Sequence, residues 1–214
     1  DPVSAFGGVV ACNNLVDEAA AQAMLELFLE CVIAPGFDEG ARKLFAKKKN
    51  CRLICMPDLD INPKVEYRSV LRGILKQEVD LGDPEGTQWR VVSERQPTEE
   101  ELQDLHFAWK ACQHVKSNAI VLVQGAATVG IGGGQPNRVD CVRMALERAG
   151  ERSIGAVMAS DAFFPFDDSV RLAAQTGISA IVQPGGSVRD ADSIAVANEH
   201  QIAMLMTGIR HFRH

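Results

Sequence analysis

The sequence predicts an α/β protein built from two similar units, and three features lead to that class. A strand–helix–strand–helix–strand pattern occurs twice, roughly 150 residues apart, with Val32-Ile33-Ala34-Pro35-Gly36 aligned on Ile181-Val182-Gln183-Pro184-Gly185. The apolar runs are short and continuous instead of alternating, the pattern of strands covered on both faces of a sheet. Composition permits a packed core: 46% of the 214 residues are hydrophobic and 23% charged, close to the globular average and unlike a disordered chain.

The first unit opens on Ser4-Ala5-Phe6-Gly7, and an Ala-rich amphipathic helix is predicted over residues 17–30. A strand around Val32 follows, then a helix over residues 39–48 and the strand Arg52-Leu53-Ile54-Cys55-Met56. Residues 57–100 are rich in Asp, Pro and Gly, with strand-like pieces at Val70-Leu71 and Trp89-Arg90-Val91-Val92, and read as a linker with a small β element. Thr98 is placed to cap the next helix, with Glu99 and Glu100 suited to its positive end. The runs 119–123 and 128–131, separated by Gly125, predict a hairpin. After Gly132-Gly133-Gly134 a helix is expected over Arg138–Ala149. The second unit then matches Asp161-Ala162-Phe163-Phe164 to the first unit's opening. Its helix over residues 168–176 is stopped by Gly177, and a second helix over 191–200 leads to Ile202-Ala203-Met204-Leu205-Met206. The expected domains are residues 1–60, a linker at 61–100, and 101–214.

Several functions are disfavoured. The net charge of −6, with no basic stretch beyond Lys47-Lys48-Lys49, argues against nucleic-acid binding. No apolar run reaches the ~18 residues of a membrane span. None of the six cysteines forms a C-x-x-C pair, and most lie in apolar runs, so buried, reduced thiols and a cytoplasmic setting are expected. Cys51 and Cys55 share a predicted strand face but lack a histidine pair, so no metal site is expected. Signatures of zinc deaminases and serine hydrolases are missing. The opening Asp1-Pro2 reads as the middle of a longer protein.

Four segments could carry chemistry. Gly130-Ile131-Gly132-Gly133-Gly134 could cradle an anion or simply form a tight turn; it fails both the dinucleotide fingerprint and the P-loop pattern. Arg138, at a helix start, opposes the helix dipole, which disfavours a stabilising role and leaves a ligand-facing role to compete with a plain surface position. Residues 158–168 set three phenylalanines and a proline between Asp161 and Asp168, as a pocket lip would, with Asp168 also a candidate N-cap. The ending Arg210-His211-Phe212-Arg213-His214 suggests anion binding on a docked tail.

Together, Lys116-Ser117-Asn118-Ala119-Ile120, Gly130-Ile131-Gly132-x-Gly134-Gln135-x-x-Arg138, Ser160-Asp161-Ala162-Phe163-Phe164-Pro165-Phe166, Gln183-Pro184-Gly185-Gly186-Ser187 and the final pentapeptide resemble the aminoimidazole carboxamide ribotide (AICAR) transformylase half of the bifunctional enzyme PurH. Asp1-Pro2-Val3-Ser4-Ala5-Phe6-Gly7-Gly8 matches as well, so the resemblance, to a C-terminal portion, runs along the whole chain. It implies two tandem cytidine-deaminase-like α/β/α units, the first incomplete at its start. It implies formyl transfer from 10-formyltetrahydrofolate to the 5-amino group of AICAR in IMP biosynthesis, by a homodimer with active sites at the subunit interface. A monovalent cation near Asp161 is left open.

Carried over by position, Asn118, Arg138 and Phe163 fall around the carboxamide and amine, Arg210 at the phosphate, Gly7 and Glu30 on the ribose side, and His214 near the base. Asn118 and His214 are the catalytic candidates. Ala162, Pro165, Phe166 and Asp168 fall on the folate side. Gly133 and Asp167 depart from the family's usual residues. The family's Lys-His pair precedes the matched region, and no Lys-His dipeptide occurs in these 214 residues. This chain alone is therefore expected to be a poor catalyst; a rival reading is a non-catalytic nucleotide-binding or regulatory fragment. A generic dehydrogenase rests only on the glycine turn.

Overall fold

A computed structural model describes residues 3–58 and 63–213 of the chain, which forms two compact units, Asp1–Val79 and Asp80–His214. His214 lies outside the described residues.

In the first unit β1 (Gly8–Ala11), α1 (Glu18–Met24), β2 (Leu29–Ala34), α2 (Glu39–Phe45) and β3 (Arg52–Cys55) form a parallel sheet of order β1-β2-β3 with its two crossover helices. Both helices start on aspartates: Ala20 N donates to Asp17 Oδ1 at 2.8 Å and Ala41 N to Asp38 Oδ1 at 2.6 Å. The helix expected over residues 17–30 stops early. Leu25, Leu27 and Leu29 recur at period two, and Leu29 and Glu30 join β2, where Leu29 pairs with Gly8. Strand pairing overrides helix propensity there. The helix expected over 39–48 likewise ends at Phe45.

Val32, Ala34, Ala21, Phe37, Ala41 and Phe45 make this unit's core. The opposite sheet face is open, with Val9 66% and Ile54 43% exposed, so among the described residues of this unit no strand is covered on both faces. The cysteine expectation is corrected for the same reason: all six are free, but only Cys112 and Cys141, both in the second unit, are buried, and Cys55 is exposed. The small β element is an antiparallel hairpin, β4 (Val65–Val70) with β5 (Gly73–Glu78).

The second unit contains β6 (Arg90–Val91), α3 (Glu99–Cys112), β7 (Ile120–Gln124), β8 (Ala127–Gly132), α4 (Arg138–Ala149), β9 (Val157–Ser160), α5 (Asp168–Gln175), β10 (Ala180–Gln183), α6 (Asp190–Glu199) and β11 (Ala203–Met206). Its sheet runs β6-β11-β10-β9-β7-β8. Strands β9, β10 and β11 are parallel, and β7 runs antiparallel to both β9 and β8. The helix–strand order β9-α5-β10-α6-β11 repeats β1-α1-β2-α2-β3 of the first unit, each with consecutive parallel strands.

Here the apolar runs are buried on both sides. Ile120, Leu122, Met158, Ile181 and Met204 pack with Leu146, Val170 and Val196 of α4, α5 and α6. Val121, Ala159, Val182 and Leu205 pack with Leu105 and Trp109 of α3. The predicted cap is present as a full capping box: Glu101 N donates to Thr98 Oγ1 at 3.1 Å, and Thr98 N donates to Glu101 Oε2 at 2.9 Å.

The glycine run serves packing. A Cβ on Gly132 would lie 1.9 Å from the Cys141 carbonyl oxygen, and one on Gly130 2.1 Å from that of Ala145. Bare backbone lets α4 lie directly on β8. The expected cap at Asp168 is also corrected. Asp167 occupies the N-cap position without a side-chain cap bond, while Asp168 is the first helical residue and its Oδ1 accepts from Ser169 N at 2.7 Å.

Candidate functional site

A cleft of about 430 Å³ opens in the second unit where four segments converge: the residues before β7, the start of α4, the loop from β9 into α5, and the tail after β11. Asn118, Arg138, Ala162, Phe163, Pro165, Phe166, Asp168 and Arg210 all line it, with Pro136, Asn137, Val139, Ser169 and Phe212. These segments meet because β7 and β9 are neighbours, and α4 starts beside them after the β8 return.

Asp161, fully buried at the end of β9, holds the segments together. Its carboxylate pairs with Arg138 Nη1 and accepts from Ser117 Oγ at 2.5 Å. Arg138 Nη1 also donates to Ser160 Oγ at 3.0 Å, and Nη2 donates to Asn118 Oδ1 at 2.8 Å. Asn118 Nδ2 donates to the Gln135 carbonyl at 2.9 Å, and the Ser117–Asn118 peptide bond is cis. Arg138 is thus no surface arginine; it is 7% exposed and neutralises a buried carboxylate. The role dismissed on dipole grounds is the one it holds.

Charged and aromatic groups crown the cleft. The Arg210 guanidinium lies 5.5 Å over the Phe212 ring, and that of Arg189 lies 5.0 Å over Phe166. The tail is docked by its backbone: Gly208 N donates to Pro184 O at 3.0 Å and His211 N to Asp161 O at 3.2 Å. Ser117 N donates to Arg213 O at 2.8 Å, and Arg213 N to Ser117 Oγ at 3.0 Å.

His211 does not face an anion site. Its ring is buried between two carboxylates, Nδ1 at 2.6 Å from Asp80 Oδ2 and Nε2 at 2.9 Å from Asp83 Oδ1. Burial pushes the Asp83 carboxyl up, but hydrogen bonds from Trp109, His211 and Trp89 outweigh it and leave the group below its ordinary value. Burial holds the Cys112 thiol well above its usual value, with the Asp161 charge adding to it, and raises that of Cys141. Neither is set up as a nucleophile.

Of the other residues singled out, Gly7 and Glu30 belong to the first unit and do not line this cleft. Gly7 has φ +74° and donates to Phe28 O at 2.8 Å, and Glu30 is exposed on β2. Sequence reasoning missed Ser117 as a second donor to Asp161, and Asp80 and Asp83 as the partners of His211. The last two sit in a stretch read as linker. The signal there was Asp80 and Asp83 bracketing Gly82, a turn that presents two carboxylates together. Among the described residues no group of three or more His, Cys, Asp or Glu is placed to hold a metal ion, and no helix is long and apolar enough to cross a membrane.

Residues 1–148 match the AICARFT/IMPCHase bienzyme family. The chain belongs to that family. It is 52% identical over 214 residues to the bifunctional purine biosynthesis protein PurH of Trichormus variabilis, and 56% identical over 217 residues to that of Limosilactobacillus reuteri. In both comparisons all of this chain is covered and 42% of the relative, so the AICARFT/IMPCHase relatives are more than twice as long. RibD of Acinetobacter baumannii, a solved structure, aligns with a TM-score of 0.35 at 15% identity over 50% of this chain and 34% of its own. That likeness is too slight to bear on the fold. Membership in the AICARFT/IMPCHase family displaces the dehydrogenase reading, whose glycine turn is accounted for by packing.

Proposed function

We propose that this chain forms part of the formyl-transfer half of an AICARFT/IMPCHase enzyme, acting in purine biosynthesis. The observation that carries the reading is the convergence, in one cleft, of Asn118, Arg138, Phe163 and Arg210 with Ala162, Pro165, Phe166 and Asp168. The two halves of that set suit two different ligands. Arg210 offers an exposed guanidinium for the phosphate of AICAR. Asn118, oriented by Arg138 and the Gln135 carbonyl, stands near the carboxamide and amine. Phe163, Pro165 and Phe166 give an apolar slot, with the Asp168 carboxylate for the amino-pyrimidine edge of 10-formyltetrahydrofolate.

In the reaction the 5-amino nitrogen attacks the formyl carbon, the bond from that carbon to the folate nitrogen breaks, and tetrahydrofolate leaves with one proton gained at that nitrogen as the amine loses one. The amine is a weak nucleophile and needs a proton acceptor. Asn118 orients without accepting a proton, and His214 is the candidate near the base. No Lys-His dipeptide is available in the chain, so turnover by this chain alone is expected to be poor. Regained activity on adding the upstream part of a relative would support this; full turnover by the chain alone would overturn it.

The proposal extends to a cytoplasmic homodimer with sites at the subunit interface, and to the cytidine-deaminase-like tandem architecture that the repeated strand–helix order favours. Gly7 and Glu30 remain the ribose-side candidates. No step is assigned to a monovalent cation, because both oxygens of Asp161 already have donors. A non-catalytic nucleotide-binding fragment is the second reading, favoured by the same missing dipeptide. Calorimetry with AICAR tests the main one. Binding that Arg210→Ala weakens at least about tenfold, by the loss of a charged hydrogen-bonded contact, is expected; equal binding by both proteins would remove Arg210 from the site.

A further inference from the structure

We infer that His211 is a positioning residue, a buried imidazole bridge between Asp80 and Asp83 that holds the adjacent Arg210 at the rim of the cleft. The inference rests on the formyltransferase reading only for what Arg210 binds; the bridge itself is read from geometry.

A carboxylate accepts hydrogen bonds and cannot donate them. His211 presents each ring nitrogen to a different carboxylate, at 2.6 and 2.9 Å, so the ring spans the two and is held from both sides. The surroundings fix those carboxylates in place. Trp109 Nε1 donates to both oxygens of Asp83 at 3.0 Å, and Trp89 Nε1 reaches Asp83 Oδ2 at 3.4 Å. Gln113 Nε2 donates to Asp80 Oδ1 at 3.1 Å and to its carbonyl at 2.9 Å, and Gly82 N donates to the same Oδ1 at 3.0 Å. The imidazole packs 5.0 Å from the Trp109 ring. Lys110 and His106 of α3 border the same depression, where His106 stacks on Trp89.

Position gives the bridge its consequence. His211 is 2% exposed while Arg210 and Phe212, on either side, are exposed and line the cleft. Its backbone N–H reaches the Asp161 carbonyl, so one residue ties the Asp80–Asp83 turn to the centre of the Arg138–Asp161 network. With His211 fixed on both sides, the Arg210 backbone is ordered before any ligand arrives, and binding need not order the tail.

The protein supplies its own probe, because both of its tryptophans belong to this cluster. Four measurements on the full chain test the bridge. Nitrogen-15 spectra of the histidine side chains should show both ring nitrogens of His211 engaged in hydrogen bonds. His211→Gln should change tryptophan emission and raise amide exchange at residues 209–213 about tenfold or more. Asp80→Asn and Asp83→Asn should do the same in part, which keeps the test open if His211→Gln folds poorly. Arg210→Ala should leave emission and exchange as in the parent chain.

A His211 ring with one nitrogen free of any hydrogen bond, or tail exchange unaltered in all three bridge variants, would overturn the inference. AICAR affinity is read separately. Weakened AICAR binding by His211→Gln, with Arg210 still present, supports positioning. Failure of the parent chain to bind AICAR, with the bridge spectra as expected, supports the bridge and sinks the nucleotide reading alone.

Discussion

Arg138 sits at 7% exposure with an ionic, a hydroxyl and an amide acceptor around its guanidinium. The helix-dipole penalty that makes such a residue look misplaced in sequence is only about 0.3–1 kcal/mol. Breaking a buried ion pair by deleting one partner costs about 3–5 kcal/mol, so the pair decides the outcome. Arg138→Ala is therefore expected to lower stability by about that amount in urea titration, and to abolish AICAR binding with it. The double substitution Arg138→Met with Asp161→Leu should cost less than the two single changes summed, since neither charge is then stranded. The sequence exposed Arg138 and Asp161 as unusual but did not pair them. They are 23 positions apart, and only the antiparallel placement of β7 beside β9 brings α4's start to the end of β9.

At the scale of elements, legibility followed how local the determining interaction is. The Thr98 capping box and the limits of α4 were readable because side chains within one turn set them. The end of α1 was not, because Leu25 to Glu30 reads equally as helix or strand and the choice falls to pairing with β1. Thr98→Ala should cost about 1 kcal/mol and leave binding unchanged, read as a shift in the urea midpoint. Gly132→Ala should do more harm than its single methyl suggests. The new Cβ would sit 1.9 Å from a backbone carbonyl that no rotamer change can move. A loss of about 2–3 kcal/mol is expected, with α4 displaced and the Arg138 contacts loosened.

For the whole molecule, the repeated strand–helix order was legible, while the environment of each repeat was not. The same kind of apolar run is buried on both faces in β9–β11 and on one face in β1–β3, because coverage depends on what packs above the sheet and not on the run itself. Amide exchange should follow this difference, slowest in β9, β10 and β11 and fastest in the exposed β4–β5 hairpin. Acid should act mainly on the second unit. The Asp83 and Glu101 carboxyls both lie below their ordinary values of 3.8 and 4.5: hydrogen bonds from Trp109 and His211 at Asp83, and from Arg95 at Glu101, outweigh burial. Their stabilisation is present above those ordinary values and is lost as pH falls through the lowered native ones. A melting temperature that drops below about pH 4, and drops less steeply in Asp83→Asn, is the expected result.

The contact between α4 and β8 also bears on how this site tolerates sequence drift. Most helix–sheet distances are set by side chains, so a larger residue on one side can be offset by a smaller one opposite. Between Gly130, Gly132 and the carbonyls of Ala145 and Cys141 there is no side chain to trade. The spacing is a ruler of bare backbone, and the start of α4, with Arg138 on it, inherits its position from that ruler. Libraries of random variants should therefore show many compensated changes in the surrounding apolar core and almost none at these two glycines. A selection for nucleotide binding would find them as intolerant as residues that touch the ligand, though neither lines the cleft.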